Sequence, residues 1–84
     1  MTDVIKHPQV TEKSVDKMDF ENKMVFICHP EARKEEIVEE VEQWFDVTVT
    51  DINTMVRPQG DTKAEVQLAD EHDAQEIASR IGVF

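Results

Sequence analysis

The stretch NKMVFICHPEARKEEIVEEVEQWFDVTVTDI, residues 22–52, holds a strand pattern, a helix pattern and a second strand pattern in succession. Residues 22–28 are rich in aromatic and branched side chains, and the apolar run from Met24 to Cys28 is unbroken. Such a run is typical of a strand that is buried on both faces or lies in the centre of a sheet. Pro30 ends this strand and suits the first turn of a following helix.

Residues 31–45 form the clearest helix pattern of the chain. Its apolar residues recur at three- and four-residue spacing, which places them on one face of an α-helix. They are Ile37, Val38, Val41, Trp44 and Phe45. Glutamates cover the remaining surface, and since neighbouring acids seldom converge on a metal ion without a loop to position them, we interpret this run as a solvated helix face.

A β-hairpin is predicted after this helix. Residues 47–56 alternate valine with threonine until Asp51 interrupts the pattern, which indicates a strand with a bulge. Pro58, Gly60 and Asp61 then mark a turn. Residues 63–68 alternate again, with Ala64, Val66 and Leu68 facing inward. Two strand patterns joined by a short turn predict an antiparallel pair.

Both ends of the chain add helices. Thr11 suits the cap of a short helix over residues 12–18, which has Val15 and Met18 on one face. Asp70 or Asp73 begins a last helix, and Gly82 stops it. The buried face of that helix is predicted to hold Ala74, Ile77, Ala78 and Ile81, and Val83–Phe84 is predicted to add a short edge strand.

The order of these elements predicts an α/β (α+β) fold of the ferredoxin-like, split β-α-β type. We expect an antiparallel sheet with two amphipathic helices on one face, together with the short N-terminal helix. Its 84 residues predict one domain, residues 1–84. The second face of the sheet is left for a partner.

The chain is strongly acidic, with 19 Asp and Glu against 9 Lys and Arg and a formal net charge of −10. A charge of this sign ordinarily predicts repulsion from nucleic acid. Two interpretations are open: an acidic domain with a protein partner, or a surface adapted to very high salt. With one cysteine and no long apolar run, the sequence predicts no intramolecular disulfide and no membrane span, and we expect a soluble, cytoplasmic protein.

No catalytic or cofactor motif is found in the sequence. His7, His29 and His72 are scattered over three segments, and two glycines cannot build a phosphate-binding loop. We therefore predict no enzyme activity, no cofactor and no metal site. An RNA-binding aromatic platform needs exposed aromatic residues on central strands. Phe26 is the one strand aromatic placed for that role, and we interpret Phe20, Trp44, Phe45 and Phe84 as core or edge packing. The sequence therefore disfavours base stacking on the sheet.

Four stretches taken together resemble the universal L23 family of large-subunit ribosomal proteins, in its short archaeal form and from a halophile. The family pattern Pro-x-x-Thr-Glu-Lys corresponds to residues 8–13, and Asn-Lys-x-x-Phe corresponds to residues 22–26. A helix that ends in an aromatic residue follows at 32–45, and Val-x-x-Ile-Asn-Thr follows at 49–54. Each motif is weak alone, but their order covers almost the whole chain.

The resemblance implies a structural, ribosomal function. Family members bind the third domain of large-subunit ribosomal RNA (rRNA) beside the mouth of the polypeptide exit tunnel. The resemblance also implies contacts with a neighbouring protein of the L29 family and with the signal recognition particle or other nascent-chain factors. Glu12 takes the place of the glutamate on which a nascent-chain chaperone docks in bacterial members. The rRNA-binding candidates are Lys6, His7, Thr11, Lys13, Lys17, Asn22, Lys23, Asn53, Thr54, Arg57 and Lys63.

The chain departs from the family in its charge and in its hairpin. Family helix lysines are mostly glutamates here, and the hairpin is short, with Arg57 and Lys63 as its cations. The alternative hypothesis, from another functional class, is a small acidic regulatory or protein-interaction domain of the same topology.

Overall fold

A computed structural model describes residues 4–80, which form four strands and three helices. The sheet order is β1-β2-β4-β3, and every neighbouring pair is antiparallel. This is the predicted split β-α-β arrangement. In chain order the elements are β1 (Ile5–Pro8), α1 (Glu12–Glu21), β2 (Lys23–Cys28), α2 (Lys34–Phe45), β3 (Val49–Val56), β4 (Thr62–Leu68) and α3 (Ala74–Arg80).

Strand β1 is the element that the sequence did not predict. It takes the outer position beside β2, with Ile5 opposite Cys28 and a bulge between Ile5 and His7. Four residues that include Lys, His and Pro carry no strand periodicity, so pairing with an existing strand decides this conformation. The predicted edge strand Val83–Phe84, together with Ile81 and Gly82, lies outside the described residues.

The central position predicted for residues 22–28 is confirmed. Strand β2 lies between β1 and β4, and its residues from Met24 to Cys28 are all buried. Phe26 is fully buried and stacks on Phe45 of α2, with ring centroids 5.7 Å apart. Phe26 is therefore not available to stack on RNA bases, because its ring packs under the helices.

Helices α2 and α3 cover one face of the sheet. Their buried residues are Ile37, Val41 and Phe45 on α2 and Ala74, Ile77 and Ala78 on α3. The prediction that Trp44 and Phe20 pack in the core or at its edge is wrong, since their exposed fractions are 55% and 82%. Ile37, Val41 and Phe45 are spaced four residues apart and fill the space beneath α2. Trp44 lies beside this row and not in it.

Helix α1 begins and ends through side chains near its termini. Thr11 is the predicted cap: its Oγ1 accepts from the Ser14 backbone N–H, and Ser14 Oγ accepts from the Thr11 N–H. This reciprocal pair satisfies donors that a helix start leaves open. The helix runs past the predicted end at residue 18 and stops at Asn22, which adopts the left-handed conformation at φ 56°.

The predicted hairpin and its bulge are both present. The register between β3 and β4 shifts between Val49 and Asp51. Gly60 has φ +100° and closes the turn, because that conformation suits glycine. A two-pronged ion pair from Arg57 to Asp61, at 2.6 and 2.7 Å, joins the two sides of the turn. Between residues 4 and 80, no helix has the length and apolar character that a bilayer crossing requires.

Candidate nucleic-acid interface

The face of the sheet opposite α2 and α3, termed the open face here, is built by the register of four strands. His7 stands beside Ile27, Ile27 beside Lys63, and Lys63 beside Met55. Since strands lie ~4.8 Å apart, this row of four side chains spans roughly 14 Å. His7 and Met55 are exposed at its two ends and Lys63 is partly buried, whereas Ile27 is buried, so the row presents one lysine with an accessible residue at each end.

A second row crosses the same face two residues further along each strand. Val25 stands beside Glu65, and Glu65 beside Asn53. Lys17 reaches this row from α1 and contacts Glu65, with Nζ 3.1 Å from Oε1. The hydrogen bond to that carboxylate raises the pKa of Lys17, so the lysine stays charged. Glu65 is therefore neutralised on this face rather than presented to a ligand.

Lys23 begins a third row, opposite Gln67. Its Nζ lies 3.2 Å from Glu21 Oε1, an ion pair at the solvent-exposed end of α1. Gln67 donates through Nε2 to the Glu21 carbonyl at 2.7 Å. The structure thus brings five of the eleven predicted RNA-binding residues onto or beside the open face: His7, Lys17, Lys23, Asn53 and Lys63.

Four predicted residues lie near the start of α1 or on β1. Lys6 is exposed on β1, and its charge helps to lower the pKa of Asp61, after the larger effect of Arg57. Thr11 is used as the helix cap. Glu12 and Lys13 are exposed in the first turn of α1, and neither makes an ion pair within residues 4–80.

Three predicted residues have other positions or partners. Thr54 follows Asn53 on the strand and faces the helix side. Arg57 is held by Asp61, and their hydrogen bond raises the pKa of Arg57 and lowers that of Asp61. Asn22 Nδ2 donates to the His72 carbonyl at 2.8 Å, and its Oδ1 accepts from the Ala74 N–H at 2.8 Å. These groups are engaged within the chain, which the sequence pattern alone does not reveal.

Charge is segregated between the two layers of the fold. Residues 29–46, which carry α2, hold seven acids against Arg33 and Lys34, and residues 69–80 hold four acids against Arg80. Residues 4–28, by contrast, hold four acids and four bases. Residues 47–68 hold three acids and two bases. Six of the nine cations therefore belong to the segments that form the sheet and α1: Lys6, Lys13, Lys17, Lys23, Arg57 and Lys63.

The described part of the chain contains no group of three His, Cys, Asp or Glu side chains that could hold a metal ion. Cys28 is fully buried, and burial, followed by the charge of Asp61, raises the pKa of its thiol to about 11. A thiol of this kind stays protonated and packs as a small apolar side chain.

Several known proteins similar to this chain share one description. The family model for ribosomal protein L23 matches residues 3–76. A large ribosomal subunit protein uL23 from Natronomonas pharaonis is 62% identical over 80 residues, which cover 95% of this chain and 98% of that protein. A protein of the same name from Halobacterium salinarum is 52% identical over 84 residues, the full length of both. One from Methanococcus aeolicus is 42% identical over 82 residues, 98% of this chain and 95% of that one.

Proposed function

The chain belongs to the ribosomal protein L23 family, and from this premise we propose that it binds large-subunit rRNA through the open face and β1. Membership of this family makes it a structural ribosomal protein and not an enzyme. The similar proteins of Natronomonas and Halobacterium belong to halophilic archaea, which agrees with the high-salt interpretation of its acidic composition. The proposed rRNA site is the third domain, near the polypeptide exit tunnel in the cytoplasmic ribosome.

The segregation of charge supports binding of RNA to the open face rather than to the helix layer. The layer of α2 and α3 is acidic and would repel phosphate, whereas the sheet side is close to neutral and carries unpaired lysines. Lys63 makes no ion pair within residues 4–80, and its neighbours across the sheet are Ile27 and Met55 rather than acids. An RNA backbone therefore meets the least repulsion at the open face.

High salt makes an acidic RNA-binding protein physically reasonable. At molar ionic strength the Debye length is ~3 Å, so the distant carboxylates of α2 are screened from RNA. The same salt removes most of the gain from counterion release. Binding then depends on shape, 2′-hydroxyl contacts and short hydrogen bonds, which a local patch with Asn53, His7 and lysines supplies.

The start of α1 is the proposed docking point for nascent-chain factors such as the signal recognition particle. Glu12 is exposed there and carries no internal ion pair among the described residues. A neighbouring protein of the L29 family is the proposed ribosomal contact. Asn22, Thr54 and Arg57 are left out of the proposed RNA surface. Asn22 and Arg57 are hydrogen-bonded within the chain, and Thr54 faces the helix side of the sheet.

The RNA surface is tested with two matched double variants. Lys6→Ala with Lys63→Ala removes two cations from β1 and the open face, while Arg33→Ala with Lys34→Ala removes two cations from the helix layer. We expect the first pair to weaken binding to a transcript of the third rRNA domain about tenfold. It should also reduce the slope of log K against log salt concentration by about two. The second pair should bind as the parent chain does. Equal losses for both pairs would show that the RNA does not distinguish the two layers.

A further inference from the structure

A groove separates α2 from the outer edge of β3, on the opposite side of the molecule from β1. Its volume is about 640 Å³. Val38 and Ile52 contribute its apolar surface, and both are partly buried. The remaining lining residues are polar or charged: Lys34, Glu35, Glu39, Glu42 and Gln43. We call this the α2–β3 groove.

Strand β3 has no neighbour on its outer side within residues 4–80, because the sheet order ends there. The Arg57 N–H donates to the Asp61 carbonyl at 2.8 Å, which fixes the hydrogen-bonding phase of the hairpin. In an antiparallel pair, hydrogen-bonded and non-hydrogen-bonded residues alternate along each strand. The backbone groups of Met55 and Asn53 therefore bond to β4, while those of Val56 and Thr54 point outward. The Ile52 N–H also lies out of the ladder and donates to Asp51 Oδ1 at 2.9 Å.

The groove therefore combines an open strand edge with an apolar floor and an acidic rim. A strand added to β3 would place alternate side chains against Val38 and Ile52. Lysine or arginine fits those positions best, because its aliphatic stem covers apolar surface while its charged end reaches Glu35 and Glu39. These two glutamates are one helical turn apart, and a bound cation relieves their mutual repulsion.

We propose that the α2–β3 groove docks an extended, lysine- or arginine-bearing segment of another protein, which pairs with β3 as a fifth strand. Charge complementarity selects this occupant. An RNA strand would bring phosphates against Glu35 and Glu39. A second copy of this chain would bring a second α2 surface of the same sign. This surface is separate from the open face, so it does not depend on the proposed RNA site.

The test uses the full chain and a short labelled peptide of alternating valine and lysine as the probe, with binding followed by fluorescence anisotropy. Glu35→Gln with Glu39→Gln should weaken binding about fivefold or more. Asp70→Asn with Glu71→Gln removes the same charge outside the groove and should leave binding within about twofold. Thr54→Pro should also weaken binding, because it removes an outward N–H; proline is tolerated at such edge positions.

Amide chemical shifts provide a second readout that does not depend on any variant. Addition of the valine–lysine peptide should shift the backbone resonances of Ile52, Thr54 and Val56, and a valine–glutamate peptide should not. Equal losses for the groove and control pairs would overturn the proposal, since binding would then follow net charge alone. Self-association of the chain that Thr54→Pro abolishes would also overturn it and identify a second copy as the occupant.

Discussion

At the scale of single residues, Asn22 joins the end of α1 to the segment that leads into α3. It adopts the left-handed conformation that ends the helix, and its side-chain amide contacts the Leu68, Ala69 and His72 carbonyls and the Ala74 N–H. Asparagine tolerates this backbone conformation better than most residues. One partly buried side chain therefore satisfies groups from segments that are distant in sequence.

We expect Asn22→Ala to lower the free energy of unfolding by about 2–3 kcal/mol, since it removes these hydrogen bonds and the preference for the left-handed conformation. Urea unfolding at molar KCl measures the change. Asn53→Ala is the matched control because Asn53 is exposed on β3, and it should stay within ~0.5 kcal/mol of the parent. A similar loss for both variants would mean that the amide of Asn22 has no special structural part.

At the scale of elements, hydrophobic periodicity predicted β2, α2, β3, β4 and α3, and it also predicted the bulge in β3. Strands β2 and β4 and helices α2 and α3 each bury a set of apolar side chains, and β3 partly buries Val49 and Ile52, so the pattern and the structure have the same cause. Strand β1 and the last turn of α1 could not be predicted in this way. Pairing with β2 decides the first, and the hydrogen bonds of Asn22 decide the second.

The first turn of α1 offers a test of factor docking. Glu12→Lys reverses the charge of an exposed side chain that has no ion pair within residues 4–80. We expect normal incorporation into ribosomes and lower affinity of those ribosomes for the signal recognition particle, measured by co-sedimentation. The fold should lose only the favourable helix-dipole interaction, ~0.3–1 kcal/mol.

Asp16→Lys provides the control for this experiment, since it makes the same charge change one turn further along α1 at another exposed position. It should leave factor affinity close to that of the parent. If ribosomes with Glu12→Lys bind the factor normally, docking does not use this residue.

At the scale of the whole molecule, the sequence predicted candidate residues for the proposed RNA surface but not which of them lie together. His7, Lys63 and Met55 are distant in sequence and become neighbours only through the strand register. The engagement of Arg57 by Asp61 depends in the same way on the geometry of the turn. Net charge alone does not show that the acids are concentrated on one layer.

That concentration makes stability depend on salt. Seven acids lie between residues 29 and 46, and the small core has little free energy to oppose their repulsion. We expect the thermal midpoint to rise substantially between dilute buffer and molar KCl. Because about 1 kcal/mol moves the midpoint of a domain this size by roughly 4–8 °C, differential scanning calorimetry will resolve the effect.

A pair of charge variants separates repulsion within the helix layer from other effects of salt. Glu35→Gln with Glu39→Gln removes two neighbouring acids from α2 and should raise the midpoint in dilute buffer while changing it little in molar KCl, where repulsion is already screened. Lys6→Ala with Lys63→Ala adds to the negative charge and should lower the midpoint in dilute buffer. If the parent chain melts at the same temperature in both buffers, the acidic surface is not an adaptation to salt. Another outcome is that the parent responds to salt while the glutamine pair leaves the difference in midpoint between the two buffers unchanged. Repulsion on α2 is then not the source of the salt dependence, and the ions stabilise the chain in another way.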